Sequence, residues 1–172
     1  MSRVGRNRVA GLLVAALVFA ADVTVKWLVT MKLDLVNRGL IDLSPWFDLR
    51  WAQNYGVSFS MLTANSVEMR WLLVALTGAI ALGVTVWMMR EKAFGETAAL
   101  GLVLGGALGN IRDRAMLGFV VDYADLHFGE FRPFAIFNLA DAAISIGVVI
   151  ILARSFLSRE KRGANEAGGQ LA

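Results

Sequence analysis

Four stretches of this chain are apolar over enough residues to cross a bilayer, about 9–31, 67–89, 96–113 and 136–157. A hydrocarbon core roughly 30 Å thick asks for about 20 apolar residues in helix, so each stretch reads as a transmembrane helix. Composition agrees, because 57% of the 172 residues are hydrophobic, against roughly 45 to 50% in ordinary soluble domains. The predicted fold class is therefore an all-α polytopic membrane protein, one four-helix domain over 1–162. Its opening, with Arg3, Arg6 and Arg8 ahead of an apolar run, has the look of a secretory signal. The run continues past Ala20 and Ala21 to Met31, however, so a retained first span is expected. Residues 163–172 lack apolar periodicity and are expected to form a disordered cytoplasmic tail.

Residues 32–65 break the pattern. Ser44 and Pro45 signal a turn, after which Phe47, Leu49 and Trp51 alternate with Asp48, Arg50 and Ala52. That is the period of a strand. Asn54-Tyr55-Gly56 then reads as another turn. A small extracytoplasmic β cradle between the first two helices is predicted, with its aromatic residues at headgroup level. Basic residues cluster at 1–8, at Arg90 and Lys92, and at Arg159, Lys161 and Arg162. The positive-inside rule puts those three segments, and so both termini, in the cytoplasm. The cradle and a loop from about Arg112 to Ala135 then share the outer face.

The polar inventory narrows the chemistry. With no cysteine, disulfides, thiol catalysis and thiolate metal sites are excluded. His127 is the single histidine, which argues against a histidine metal cage or a Ser-His triad. The net charge of +3 is scattered along the chain, without the basic face that nucleic acid requires. No metal or cofactor is implied.

What remains is a set of acids and carboxamides where they are expensive. A charge at membrane depth costs roughly 2.5 kcal/mol or more, which makes each a functional candidate. Asp22 and Lys26 are spaced to share one helix face. Asn110 with Asp113, and Asn138 with Asp141, repeat an N-x-x-D arrangement on either side of the outer loop, giving each carboxylate a carboxamide neighbour. Between them Asp122 lies in the apolar run Val120-Val121-Asp122-Tyr123. Two carboxylates at close range suit hydrolysis: one stays protonated and polarises a carbonyl while the charged one activates water. Asp113 lies between Arg112 and Arg114, so a structural ion pair is equally open there, whereas Asp122 and Asp141 have no adjacent cation. Asp125, His127 and Glu130 read as solvated loop residues, and Thr85 and Ser145 as hydroxyls bonded to helix backbone. Gly101, Gly105 and Gly109 form a small-residue stripe that lets another helix approach. A small transporter or proton relay is the alternative. It would place acids at the midplane and repeat its halves, and neither pattern is visible.

Taken together these residues resemble the type II (lipoprotein) signal peptidases. The resemblance is carried by Asp22-x-x-x-Lys26, Asn54-x-Gly56-x-Ser58-Phe59, Gly105-Gly106-Ala107-Leu108-Gly109-Asn110 running into Asp113-Arg114, Val120-Val121-Asp122, and Phe137-Asn138-x-Ala140-Asp141. It implies an aspartic endopeptidase, without cofactor or metal, of the bacterial cytoplasmic membrane. Such an enzyme cuts the signal peptide from prolipoproteins just before a diacylglyceryl-modified cysteine. The implied catalytic pair is Asp122 and Asp141. Asp22, Lys26, Asn54, Gly56, Asn110, Asp113, Arg114, Asn138 and Ala140 match positions that bind substrate or shape the site. The implied partners are lipid-modified prolipoprotein signal peptides and membrane lipids, met by a monomer. The sequence departs from many relatives in having Ser58 where alanine is common, and Arg112 where an apolar or aromatic residue is common.

Overall fold

A computed structural model describes residues 2–56 and 66–169, with side chains as far as 157. Helix α1 spans Arg3–Trp27 and runs on through a π turn, Leu28–Lys32. A short helix α2, Leu35–Arg38, leads into strands β1, Leu40–Ser44, and β2, Phe47–Asn54. Helices α3, Val67–Arg90, and α4, Phe94–Leu117, follow; then strand β3, Val120–Leu126, and helix α5, Leu139–Gly169. Four of these helices are long and apolar enough to cross a membrane, so the protein is a multi-pass membrane protein.

Helix ends follow local chemistry. Ser66 caps α3, its hydroxyl accepting from the Met69 N–H at 3.1 Å. Gly118 ends α4 in the left-handed region. That end lies beyond the expected 113, so Arg114 is still helical. Helix α5 runs through 163–169, where a disordered tail is expected from sequence; Glu166 and the alanines Ala164 and Ala167 are good helix formers.

Helix α4 is the hub, packed against α1, α3 and α5, while among the described residues α3 and α5 make no contact of comparable extent with each other. The glycine stripe explains the first contact. A Cβ at Gly105 would lie 2.5 Å from the Ala15 carbonyl oxygen and 2.8 Å from the Val18 Cβ, and one at Gly101 would meet the Gly11 carbonyl. Small residues thus let the α1 and α4 backbones touch. Gly106 and Gly147 do the same between α4 and α5.

The sheet corrects the sequence expectation. It has three antiparallel strands in the order β1-β2-β3, and its third strand comes from between α4 and α5, a segment expected to be loop. Both faces of β3 are buried, so its residues show no alternation to read. Phe47, Leu49 and Trp51 do reach one apolar cluster with Val29, Leu35, Val121 and Tyr123, as their spacing predicts. A bulge between Leu49 and Ala52 then shifts the β2–β3 register.

Candidate active site

The site is assembled where β3 meets the start of α5. On its free edge β3 pairs with Phe137: the Ala124 N–H donates to the Phe137 carbonyl at 2.8 Å, and the Phe137 N–H returns to the Ala124 carbonyl at 3.0 Å. The buried Tyr123 hydroxyl accepts from the Leu139 N–H at 3.1 Å. Strand and helix are thereby locked next to Asn138, the cap of α5. Its side-chain oxygen accepts from the Asp141 N–H at 2.9 Å, and the Asp141 carboxylate accepts in return from the Asn138 N–H at 3.3 Å. This is a capping box, with asparagine and aspartate in the two roles.

The same asparagine reaches the second acid. Asn138 Nδ2 donates to Asp122 Oδ1 at 2.6 Å, so one residue bonds both Asp122 and Asp141. The other oxygen of Asp141, Oδ1, accepts from Asn110 Nδ2 at 2.8 Å. Both oxygens of Asp141 therefore accept a hydrogen bond from an N–H donor. Asp122 is almost wholly buried. Burial first, and the charge of Asp141 second, push its carboxyl up to about 6, against hydrogen bonds from Asn54 and Asn138 and the charge of Lys26. The two acids thus differ in environment, the condition for splitting acid and base roles.

Behind them lies a buried charge cluster. Lys26 Nζ is 2.8 Å from Asp22 Oδ2 and 2.8 Å from Asp113 Oδ2. It also donates to Asn110 Oδ1 at 3.2 Å. Asp22 Oδ1 accepts from the Ala140 N–H at 3.0 Å, and Asp113 Oδ2 from the Val121 N–H at 3.3 Å. Asp22 and Lys26 therefore pair as their spacing predicts, with Asp113 as a third member. The N-x-x-D of α4 works differently from expectation: Asn110 orients Asp141 of the other helix, while Asp113 turns to Lys26. Arg112 touches Asp113 at 3.4 Å. Arg114 turns elsewhere, toward Gly56.

Gly56 closes the turn after β2. Its N–H donates to Asn54 Oδ1 at 2.8 Å, its φ is +84°, and a Cβ there would lie 2.9 Å from Leu73 and 3.4 Å from Arg114 Nη2. Both conformation and space demand glycine. Arg114 and Asn110 line an apolar cavity of about 170 Å³ between α3, α4 and α5, walled by Thr77, Ile80 and Ile144. All eleven site residues predicted from sequence lie on or beside this network: Asp122, Asp141, Asn110, Asn138, Asp22, Lys26, Asp113 and Ala140 through direct bonds, Asn54 through its bond toward Asp122, Arg114 at the cavity, and Gly56 in the turn next to Asn54 and Arg114. Ser58 and Phe59 lie outside the described residues.

Two expectations fail. Asp125 is buried, not solvated, and its Oδ2 lies 3.2 Å from both Arg50 and Arg132. His127 is also largely buried, with Nε2 at 2.9 Å from Asp48. Both errors have one cause, the unrecognised strand, which sets Asp125 opposite Asp48. The role of Tyr123 was likewise missed, although an aromatic beside two valines is a strand signal.

Four apolar helices around a buried carboxylate and a half-buried one, joined through Asn138, define a multi-pass membrane protein with a polar site at one end of its bundle. The comparisons name the family. The family described as signal peptidase (SPase) II matches residues 14–157. The lipoprotein signal peptidase of Sphingopyxis alaskensis is 52% identical over 157 residues, 91% of each chain, and that of Rhizorhabdus wittichii 52% over 156 residues, again 91% of each. A solved bacterial membrane enzyme superposes with a TM-score of 0.72 at 25% identity, covering 84% of this chain and 90% of the other. The chain belongs to the signal peptidase II family and is a peptidase, which sets the transporter alternative aside.

Proposed function

We propose that the protein is an aspartic endopeptidase that cleaves the signal peptide from prolipoproteins immediately before a diacylglyceryl-modified cysteine. It would act in the bacterial cytoplasmic membrane, with its termini cytoplasmic and the sheet at the outer face. The observation that carries this reading is Asn138 bonded at once to Asp122 and Asp141. Asp141, accepting from Asn110 and the Asn138 backbone, takes a proton from water as it attacks the scissile carbonyl. Asp122, which keeps its proton to about pH 6, gives it to the carbonyl oxygen. The tetrahedral diol then collapses: Asp122 recovers that proton, and Asp141 passes its own to the leaving amine. Arg114, which lines the cavity, and Asn54, which bonds toward Asp122, would hold substrate backbone. The apolar cavity between α3 and α5 is the way in from lipid for the signal helix.

The test uses purified protein in detergent and a diacylglyceryl-modified lipobox peptide, with chelator present. Cleavage should persist, and Asp122→Asn and Asp141→Asn should each lower kcat by about 10³-fold or more while still binding the peptide. Cleavage by both variants, or dependence on added metal, would sink the dyad. The wild-type kcat/KM should fall about tenfold per pH unit above about 6, as the acid loses its proton.

A further inference from the structure

We propose that a second cavity, between α5 and the segment returning to it from β3, seats the glycerol diester of the substrate's lipid-modified cysteine, with the Ser145 hydroxyl donating to an ester carbonyl. The inference rests on the endopeptidase reading above and adds to it a place for the lipid. The cavity measures about 300 Å³ and is walled by Leu126, Phe134, Phe137 and Ile146; its two polar lining residues are Asp141 and Ser145.

Helix α5 divides this cavity from the cleft toward α3. Ile144 lines that cleft, whereas Asp141, Ser145 and Ile146 line this cavity. Asn110, which lines the cleft, bonds Asp141. A chain that enters by the cleft and crosses the start of α5 at the dyad therefore carries the residue beyond the scissile bond to this cavity. Ser145 lies one helical turn from Asp141, about 6 Å along the axis. The bonds from a cysteine Cα through sulfur and glycerol to an ester carbonyl span such a distance.

The hydroxyl itself points to a ligand. Thr24, Thr30, Thr77, Thr85 and Thr97, all within the spans, each donate to the carbonyl four residues back. Sequence leads to the same expectation for Ser145, but it makes no hydrogen bond among the described residues. Ser155 makes none either, but it stands beside Arg154 near the far end of the span. A hydroxyl set among apolar side chains gains by finding an acceptor. Charge selects which one. No basic residue lines the cavity, and Asp141 would repel a phosphate, so a neutral ester fits where a phospholipid headgroup does not. Ser145, Val149, Leu152 and Phe156 are exposed and recur four and three apart on one face of α5. Acyl chains leaving the cavity lie along that face.

The experiment compares lipobox peptides whose modified cysteine carries a diester or the matching diether glycerol, which has no carbonyl. With wild type, the diether should raise KM about fivefold, the worth of one hydrogen bond. Ser145→Ala should raise KM for the diester by the same factor and leave that for the diether where it was. An equal change with both peptides, or none with either, would overturn the site. A diester peptide with a diazirine beside the ester locates the lipid without turnover, so it decides the matter even if neither peptide is cut and the endopeptidase reading itself falls. Its label should appear on Phe134, Phe137 or Ile146. Label on Thr77 or Ile80 in the cleft, or equal labelling of the cavity by a phosphatidylcholine carrying the same diazirine, would overturn the proposal.

Discussion

Lys26 carries one positive charge between two carboxylates, and all three side chains are buried. Removing one member of such a cluster leaves an uncompensated charge at a cost of about 3 to 5 kcal/mol. Lys26→Met should therefore lower the melting temperature sharply, and Asp22→Asn with Asp113→Asn in the same chain should restore most of it. Asp125 offers the contrast. Its partners Arg50 and Arg132 are partly exposed, so a variant lacking Asp125 leaves cations that water can reach and should lose less. Asp122 behaves in the opposite sense to a salt-bridged acid. Its folded carboxyl holds a proton to about 6 against 3.8 for the free group. The stabilisation from protonation is complete below about pH 3.8 and is lost as pH rises through about 6. Asp122→Asn should thus melt higher than wild type at pH 8, by up to about 3 kcal/mol, and the gap should close near pH 4. Sequence spacing revealed the Asp22–Lys26 pair because its partners are one helical turn apart. Asp113, 87 residues away from Lys26, could not be assigned by spacing, and its neighbours Arg112 and Arg114 misdirected attention.

Among the elements, α4 was the most legible and β3 the least. The stripe Gly101, Gly105 and Gly109 announces a close approach, and its partner proves to be α1. Gly105→Ala should force the helices apart and cost about 1 to 3 kcal/mol. Gly78 is a control on α3 with nothing near its would-be Cβ, so Gly78→Ala should leave the melting temperature level or raise it slightly. Thermal melts of the two single variants check this. Strand β3 was hidden because period-two alternation appears only when one face is wet. Val120, Val121, Tyr123 and Ala124 are apolar on both faces, and the acid between them looked like an exception in a loop.

For the whole molecule, the consequence of the hub arrangement is a gap. Helix α4 touches each of the other three spans, but α3 and α5 leave a cleft between them with Asn110 and Arg114 at its floor. If substrate comes through that cleft, Ile80→Cys on α3 joined to Ile144→Cys on α5 by a short bis-maleimide should abolish cleavage. Each single cysteine variant treated alike should stay active, and the native chain has no cysteine to interfere. Full activity of the bridged variant would mean another route. The number of spans and their order were legible from hydropathy alone. The sheet was only half legible, since its strands come from two segments separated by the 65 residues 55–119.

The capping box at the start of α5 has a thermal consequence. Helix ends fray before helices melt, and here the bonds that stop the fraying are the ones that aim both carboxylates. Opening of a single turn, Asn138 to Ala142, would disarm the dyad while four helices stay packed. Activity on heating should therefore fade reversibly several degrees below the global transition, and the amide of Asp141 should exchange its hydrogen with solvent in step with that loss.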